Sequence, residues 1–411
     1  MLRTELSELL EHGEGSGIEF KRDDVHPQSL AKELGALLNV RGGRLLLGVE
    51  DDGSVSGLTR GAKQAEEWIM EICRQHLQPP FIPFWEIVAW DDARAVGVIS
   101  LPEASPDKPY KAKQGGAWIT FVRAGSTSRA ASREEEARLY QASGWLHYDI
   151  KPVPGSTFEA LDLRRLRDYF GEIRHQDCPE EDTEEAWTPL LLNTELMVED
   201  QGRAVPTVGA VLLMGREPNR FLRHAGITAV AYPGTEKDYA ARERAVLHGP
   251  IVALLGSRKD IVDNGLVEQA IHFVKRNLNV EAWIDGGLRK ERWELPLEAI
   301  REAVVNALAH RDYTIHVTDI ELSIYSDRLE ILSPGRLPNT VTIEKMRHGY
   351  RATRNELLKE VLRDYGYIEA TGLGVPRKII RGMQEHNGSE PDLLEEEDRF
   401  LVRLWKDGQG S

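Results

Sequence analysis

The sequence predicts a mixed α/β (α+β) protein of more than one domain, and three observations carry that expectation. Its 411 residues exceed the length at which a single hydrophobic core keeps growing. Short apolar strand-like runs alternate with stretches of helical periodicity near both ends of the chain, as where IEFKR is followed by QSLAKELGALLN. The hydrophobic fraction of 41% and the charged fraction of 29% describe a globular protein with material for real cores. The expected division is a mixed α/β domain over 1–148, a connecting α/β region over 149–290 and a third α/β unit over 291–411. PVPGS at 152–156 reads as a linker.

Taken in order, TELSELLEHG is a short helix stopped by Gly13, and IEFKR is a strand. QSLAKELGALLNVRGG is a helix with Leu30, Leu34, Leu37 and Leu38 on its apolar side, ending at paired glycines. RLLLGVEDDGSVSGL reads as a hairpin with its tight turn at Asp52-Gly53. AKQAEEWIMEICRQHL is a helix, IPFWEIVAW and RAVGVISL are strands, and AWITFVRAGSTSRAA is a second hairpin. In the middle region EALDLRRLRDYFGEI is an amphipathic helix, whereas AVPTVGAVLLMG and ITAVAYPGT read as strands. LPLEAIREAVVNALAHRDY is a helix with Ile300, Val304, Ala307 and Leu308 apolar, and VTDIELSIYSDRLEILSPG gives two strands around Ser326-Asp327. Helices in NELLKEVLRDYG and VPRKIIRGMQEHNG and a closing strand in RFLVRLW complete the chain.

A net charge of -15 excludes a uniformly basic surface and leaves phosphate binding to local patches. Cys73 and Cys178 lack any CxxC or metal spacing, so neither a disulfide framework nor a zinc site is expected, which fits a reducing compartment. The N-terminus carries no apolar stretch of signal-peptide type and no run reaches bilayer-spanning length. The expected location is the cytoplasm, with no membrane partner.

Two stretches carry chemistry. Glu14 and Glu19 stand five residues apart beside Gly15 and Gly17, with Lys21 two residues further, and Glu50 and Asp51 follow the LLLGV strand. Carboxylates converging there would repel one another unless a cation relieved the charge, and hard oxygen donors suit Mg²⁺ or Mn²⁺. Such an ion holds phosphate and activates water, with Lys21 offering its charge to the phosphate. Solvated surface acids and a Lys21 paired on a neighbouring strand are equally compatible with the spacing. Lys111, Lys113, Arg123, Ser126, Ser128 and Arg129 supply basic and hydroxyl groups for phosphate contacts, with Tyr110 and Trp118 for stacking.

In REAVVNALAHRD, Glu302 and Asn306 lie four apart on one helix face, a neutral Mg²⁺ ligand beside a carboxylate that can polarise water. Gly372 and Gly374 precede a helix and can offer backbone N–H groups to phosphate. Arg347, Arg351 and Arg354 in HGYRATRN suit a lid over a triphosphate.

GIEFKRDD, ALLNVRGGRLLLGVEDDGSVSGL and FVRAGSTSRAAS together resemble the Schlafen AlbA-like domain, over about the first 145 residues. The resemblance implies a catalytic, metal-holding set at Glu14, Glu19 and Asp51, with Lys21 as the lysine of the signature. It implies metal-dependent cleavage of RNA, tRNA-like substrates favoured, or DNA binding and transcription regulation without catalysis, and a role in defence. EAVVNALAHRDY, DRLEILSPGRLP and EATGLGVPRKI, spanning about 295–405, resemble a divergent GHKL-type ATP-binding domain, an α/β sandwich. That implies a nucleotide site, ATP with Mg²⁺, at Glu302, Asn306, Gly335, Arg354, Gly372 and Gly374, with Asn306 on the metal, and a homodimer. The aspartate of a DxGxG motif is replaced by ILSPGRLP, which leaves adenine selection and hydrolysis without their usual residue.

Overall fold

The alternation in IEFK places Phe20 on one side of a strand and Glu19 and Lys21 on the other. The structure, a computed structural model, describes residues 1–406 apart from 104, 257–259, 286–287, 339, 351, 370–371 and 397. Its internal contacts divide the chain into two units, Met1–Leu146 and His147–Ser411.

In the first unit α1 (Arg3–His12) precedes β1 (Ile18–Lys21), which pairs in parallel with β2 (Gly43–Leu47), Glu19 beside Leu45. A parallel pair needs a crossover, and α2 (Pro27–Asn39) provides it, with Pro27 in the first turn where its missing N–H costs nothing. Then come α3 (Ala62–Gln75), β3 (Leu77–Gln78), β4 (Phe84–Ala89), β5 (Ala95–Leu101), β6 (Lys111–Gln114), β7 (Ala117–Ala124), β8 (Thr127–Ala130) and α4 (Arg133–Ala142). The strands make two four-stranded sheets, ordered β1-β2-β5-β4 and β3-β6-β7-β8. Helix α2 packs against strands of both sheets, so Leu30, Ala31, Leu34, Ala36, Leu37 and Leu38 are all buried. Asn39 at its end is satisfied three ways, accepting from Tyr110 N–H (2.7 Å) and donating to the carbonyls of Tyr110 and Phe121 (2.8 Å each). The hairpin expected over RLLLGVEDDGSVSGL shrinks to one antiparallel pair, Val49 with Val55, about a turn closed from Gly53 N–H to Glu50 O (2.9 Å).

In the second unit a six-stranded sheet combines β9 (Ile227–Ala231), β10 (Glu243–Leu247), β11 (Ile320–Ile324), β12 (Arg328–Pro334), β13 (Asp392–Glu396) and β14 (Arg399–Trp405), ordered β10-β9-β11-β12-β14-β13. Only β9 and β11 run parallel in this sheet. Because β9 and β10 come from the 149–290 stretch, the expected boundary at 290 falls inside one sheet-sharing unit. One sheet face carries Leu322, Ile324, Leu329, Ile331, Val402 and Leu404, packed with α5 (Leu266–Asn277) and α6 (Leu297–His310). On the other face Arg328 and Arg403 share Glu330 at 2.8 and 2.7 Å, and Arg403 reaches Asp392 at 3.1 Å. Further helices are α7 (Glu356–Asp364) and α8 (Gly382–Asn387), the latter continuing from wide π turns over Gly374–Arg381.

AVPTVGAVLLMG, expected as a strand, divides instead: Arg203–Pro206 is a strand and Val208–Met214 a helix. All seven residues of that helix are buried, so no polar face marks the period, and an apolar run of this length reads alike as helix or strand. Thr207 decides it by accepting from Ala210 N–H at 3.2 Å. Among the described residues no helix is long and apolar enough to cross a membrane.

Candidate nucleotide and nucleic-acid sites

The N-terminal acids are placed by the edge position of β1. One Glu14 oxygen accepts the N–H of Phe20 (2.9 Å), satisfying a donor on the open side of the edge strand. Glu19 is 4% exposed. Its carboxylate bonds to Lys21 Nζ and lies 2.6 Å from Arg123 Nη1. Burial pushes the Glu19 carboxyl up, against the lowering effect of the Lys21 bond, and the neighbouring Glu33 adds to the rise. Asp51 is exposed in the turn after β2. Among the described residues no three carboxylate, imidazole or thiol side chains gather as a metal site. Of the expected donor set, Glu14 thus caps a strand edge, Glu19 is ion-paired twice and Asp51 faces solvent.

The basic hairpin is equally engaged within the unit. Arg123 is a correction to the expected phosphate contact, because its side chain is fully buried. Its guanidinium donates to Gly15 O (2.8 Å) and Ile18 O (3.1 Å) and pairs with Glu19 and with Glu33 (3.3 Å). Ser128 donates to the same Glu33. Tyr110 is also internal, its hydroxyl 2.8 Å from Ser105 Oγ. Lys111 pairs with Glu136 (2.8 Å), and Arg129 makes two 2.7 Å bonds to Glu135. Lys113 lies over the ring of the part-exposed Trp118, and Ser126 is exposed at the hairpin tip. Two of the three successive glutamates in the first turn of α4, Glu135 and Glu136, thus pair with Arg129 and Lys111. Sequence reasoning missed Glu33, although an acid inside the apolar stripe of α2 is itself the sign of a buried pair.

In the second unit the sequence-predicted residues do meet. A cavity between the inner sheet face and the helices is lined by Glu302, Asn306, Gly335, Gly372 and Gly374, with His310, Lys359 and Glu369. Residues 302, 306 and 310 recur at one-turn spacing along α6, spanning about 12 Å of wall. Asn306 Nδ2 donates to Glu302 Oε1 (3.1 Å), an arrangement that turns the amide oxygen away from the carboxylate. Lys378 Nζ is 3.5 Å from the other Glu302 oxygen and 2.9 Å from Glu369. Burial lifts the Glu302 carboxyl, and the Lys378 charge and the Asn306 bond only partly oppose it. A Cβ on Gly374 would overlap Glu302 Oε1, so the glycine lets the helix start lie against that carboxylate. At the far end, burial and the charges of Arg354 and Lys359 push His310 down to about 4.

Arg354 is a second correction. It does not line the cavity; its buried guanidinium donates to Arg336 O (2.7 Å) and His310 O (3.3 Å) and stands 4.0 Å from Asp312. Gly335, at φ +112°, is required there, since a Cβ would overlap Arg354 Nη1. Arg347 pairs instead with Glu390, and Arg351 lies outside the described residues. Lys378 and Glu369 were missed; the available signal was a lysine one helical turn after Gly374.

Residues 14–132 match the family model described as "Schlafen, AlbA_2", and residues 318–404 match the one described as "Putative ATP-dependent DNA helicase recG C-terminal". These matches describe the domain architecture expected from the sequence, that of a nucleic-acid-related protein with an ATPase-like domain. The second match begins after α6, so Glu302 and Asn306 lie outside it. Among solved structures, the DIP2311 protein of Corynebacterium diphtheriae is similar over 98% of this chain and 81% of its own, at 18% identity and a TM-score of 0.44. The N-terminal domain of a "Putative ATP-dependent DNA Helicase RecG-related Protein" of Nitrosomonas europaea is similar over 32% of this chain and 93% of its own, at 24% identity and a TM-score of 0.26. No curated protein matches the chain.

Proposed function

We propose that the chain is a nucleic-acid-binding protein whose second unit binds a nucleoside triphosphate with Mg²⁺, the bound nucleotide regulating how the first unit engages nucleic acid. One observation carries the reading: a single cavity is lined by Glu302, Asn306, Gly335, Gly372 and Gly374, drawn from three separated stretches of sequence. The amide oxygen of Asn306 would hold Mg²⁺, which neutralises phosphate charge when bound. Glu302, lifted in pKa by burial, is the group suited to accept a proton from water. The glycines admit phosphate close to the helix start.

In the first unit the reading is binding without cleavage. Its support is that Glu19 is already paired with Lys21 and Arg123. The rival reading is metal-dependent phosphodiester cleavage at Glu14, Glu19 and Asp51. The full chain is titrated with ATP, with and without Mg²⁺, and incubated with labelled tRNA, single-stranded DNA and duplex DNA in Mn²⁺ or EDTA. Mg²⁺-dependent ATP binding that Asn306→Ala weakens at least ~10-fold supports the nucleotide site. Salt-sensitive nucleic-acid binding without strand scission supports the binding role. Scission in Mn²⁺ that Glu19→Gln abolishes establishes the rival instead.

A further inference from the structure

The nucleotide reading leaves one cation unexplained. Lys378 does not itself line the cavity but sits directly behind its Glu302 end, covered by two lining carboxylates, Glu302 and Glu369, that differ in how firmly they are held. Glu302 is 7% exposed and fixed by Asn306 and by the close backbone of Gly374. Among the described residues Glu369 pairs with Lys378 alone, at 2.9 Å, and its side chain is 51% exposed. An ion pair whose acid is half exposed is weakly held, so Glu369 is readily displaced, whereas Glu302 is not. Two acids against one ammonium leave this end of the cavity negative, which opposes an incoming polyphosphate unless one acid withdraws.

We propose that Lys378 is the cation that distinguishes a nucleoside triphosphate from a diphosphate in this cavity, with Glu369 as its resting counter-ion, which the terminal phosphate replaces. The assignment rests on the nucleotide reading above and deepens it. Position favours Lys378 over the other lysine. Lys359 belongs to the His310 end, about 12 Å along α6 from Glu302, and is bonded to Thr353 Oγ1 (2.7 Å). Lys378 adjoins the Glu302 and Asn306 pair, where metal and terminal phosphate would lie. Burial alone would lower the Lys378 pKa, but its carboxylate neighbours outweigh it and keep the amine charged. The π turns over Gly374–Arg381 set Lys378 four residues after the glycine that touches Glu302, so amine and carboxylate share one side of the helix. Replacing Glu369 by phosphate exchanges a singly charged partner for a more highly charged one and carries Glu369 outward.

The test is calorimetric titration of the full chain with ATP, ADP, GTP and GDP in Mg²⁺, for the wild type, Lys378→Met, Lys378→Arg, Glu369→Gln and Lys359→Met, each checked for folding by circular dichroism. Lys378→Met should weaken triphosphate binding ~10-fold or more while changing diphosphate binding less than ~3-fold, and Lys378→Arg should keep most of the preference. Glu369→Gln should tighten triphosphate binding a few-fold, because the competing anion is gone. Equal loss of tri- and diphosphate binding in Lys378→Met overturns the assignment and leaves the nucleotide site standing. So does weaker triphosphate binding in Glu369→Gln, or a preference abolished by Lys359→Met. A wild-type chain that binds none of the four nucleotides overturns the nucleotide reading and this assignment with it.

Discussion

Replacing Arg123 by methionine separates a structural cation from a nucleic-acid contact more cleanly than any other change in the first unit. The guanidinium faces Glu19 at 2.6 Å and Glu33 at 3.3 Å and donates to the carbonyls of Gly15 and Ile18. Arg123→Met leaves two buried carboxylates and two carbonyls facing a thioether. Breaking a buried ion pair by removing one partner costs about 3–5 kcal/mol. A urea m-value of about 1–3 kcal/mol/M then places the fall in midpoint above about 1 M. Hydrogen exchange in the presence of urea reads this locally, on peptides spanning 18–47 and 117–130, with 320–334 as an internal reference. The triple variant with Glu19→Gln and Glu33→Gln should recover part of the loss, because the stranded charges are gone and the three sites are coupled. Arg129→Ala, which removes an exposed pair, should cost no more than about 1 kcal/mol. Should Arg123→Met keep wild-type protection while losing nucleic-acid affinity, the arginine is a ligand contact and the buried-hub argument fails.

Other outcomes are equally checkable. Glu135→Gln with Glu136→Gln frees Lys111 and Arg129, and nucleic-acid affinity should rise with a steeper salt dependence, measured by fluorescence anisotropy from 50 to 300 mM salt. Asp23 is buried, which alone would raise its pKa, yet bonds from Thr59 and Arg60 hold it below the usual value. Its folded pKa lies under the unfolded one, so its stabilisation is complete above about pH 4 and is lost as pH falls through the folded value. Asp23→Asn should flatten that acid-side decline. His310 has the opposite consequence: with a folded value of about 4 against 6.5 unfolded, the unfolded chain binds the extra proton in between. Stability should fall by up to about 3 kcal/mol as pH drops from about 6.5 to 4, and His310→Asn should remove most of that slope in equilibrium unfolding.

What the sequence disclosed follows the range of the interactions involved. Elements with a clear period or punctuation were legible: IEFK as a strand, the Leu30 to Leu38 stripe as a helix, and the two strands around Ser326-Asp327. Val208–Met214 was not, because a run buried on every side has no polar face to betray its period. The pairing of Glu302 with Asn306 was legible because helical spacing fixes it locally. The fate of Arg123 was not: Glu33 lies 90 residues away, and only the packing of α2 against β7 brings them together. Arg354 shows the same limit, since residues 18 and 44 positions earlier supply the carbonyls that hold it.

The two glutamate sites differ in charge count, and the difference bears on which of them suits the proposed cation. Around Glu19 the two carboxylates of Glu19 and Glu33 meet two cations, Lys21 and Arg123, and Lys32 approaches Glu33 at 3.4 Å. That cluster is neutral or better without an ion, and a divalent metal entering it would have to expel a buried guanidinium. Around Glu302 two carboxylates share the single ammonium of Lys378, and both border an open cavity. The acids outnumber the ammonium there, and hard cations are drawn to such a place. Neutralising Glu302 in a Glu302→Gln variant should thus weaken Mg²⁺ dependence of nucleotide binding even where the glutamine keeps its bond to Asn306, whereas Glu19→Gln should leave Mn²⁺ binding to the first unit unchanged.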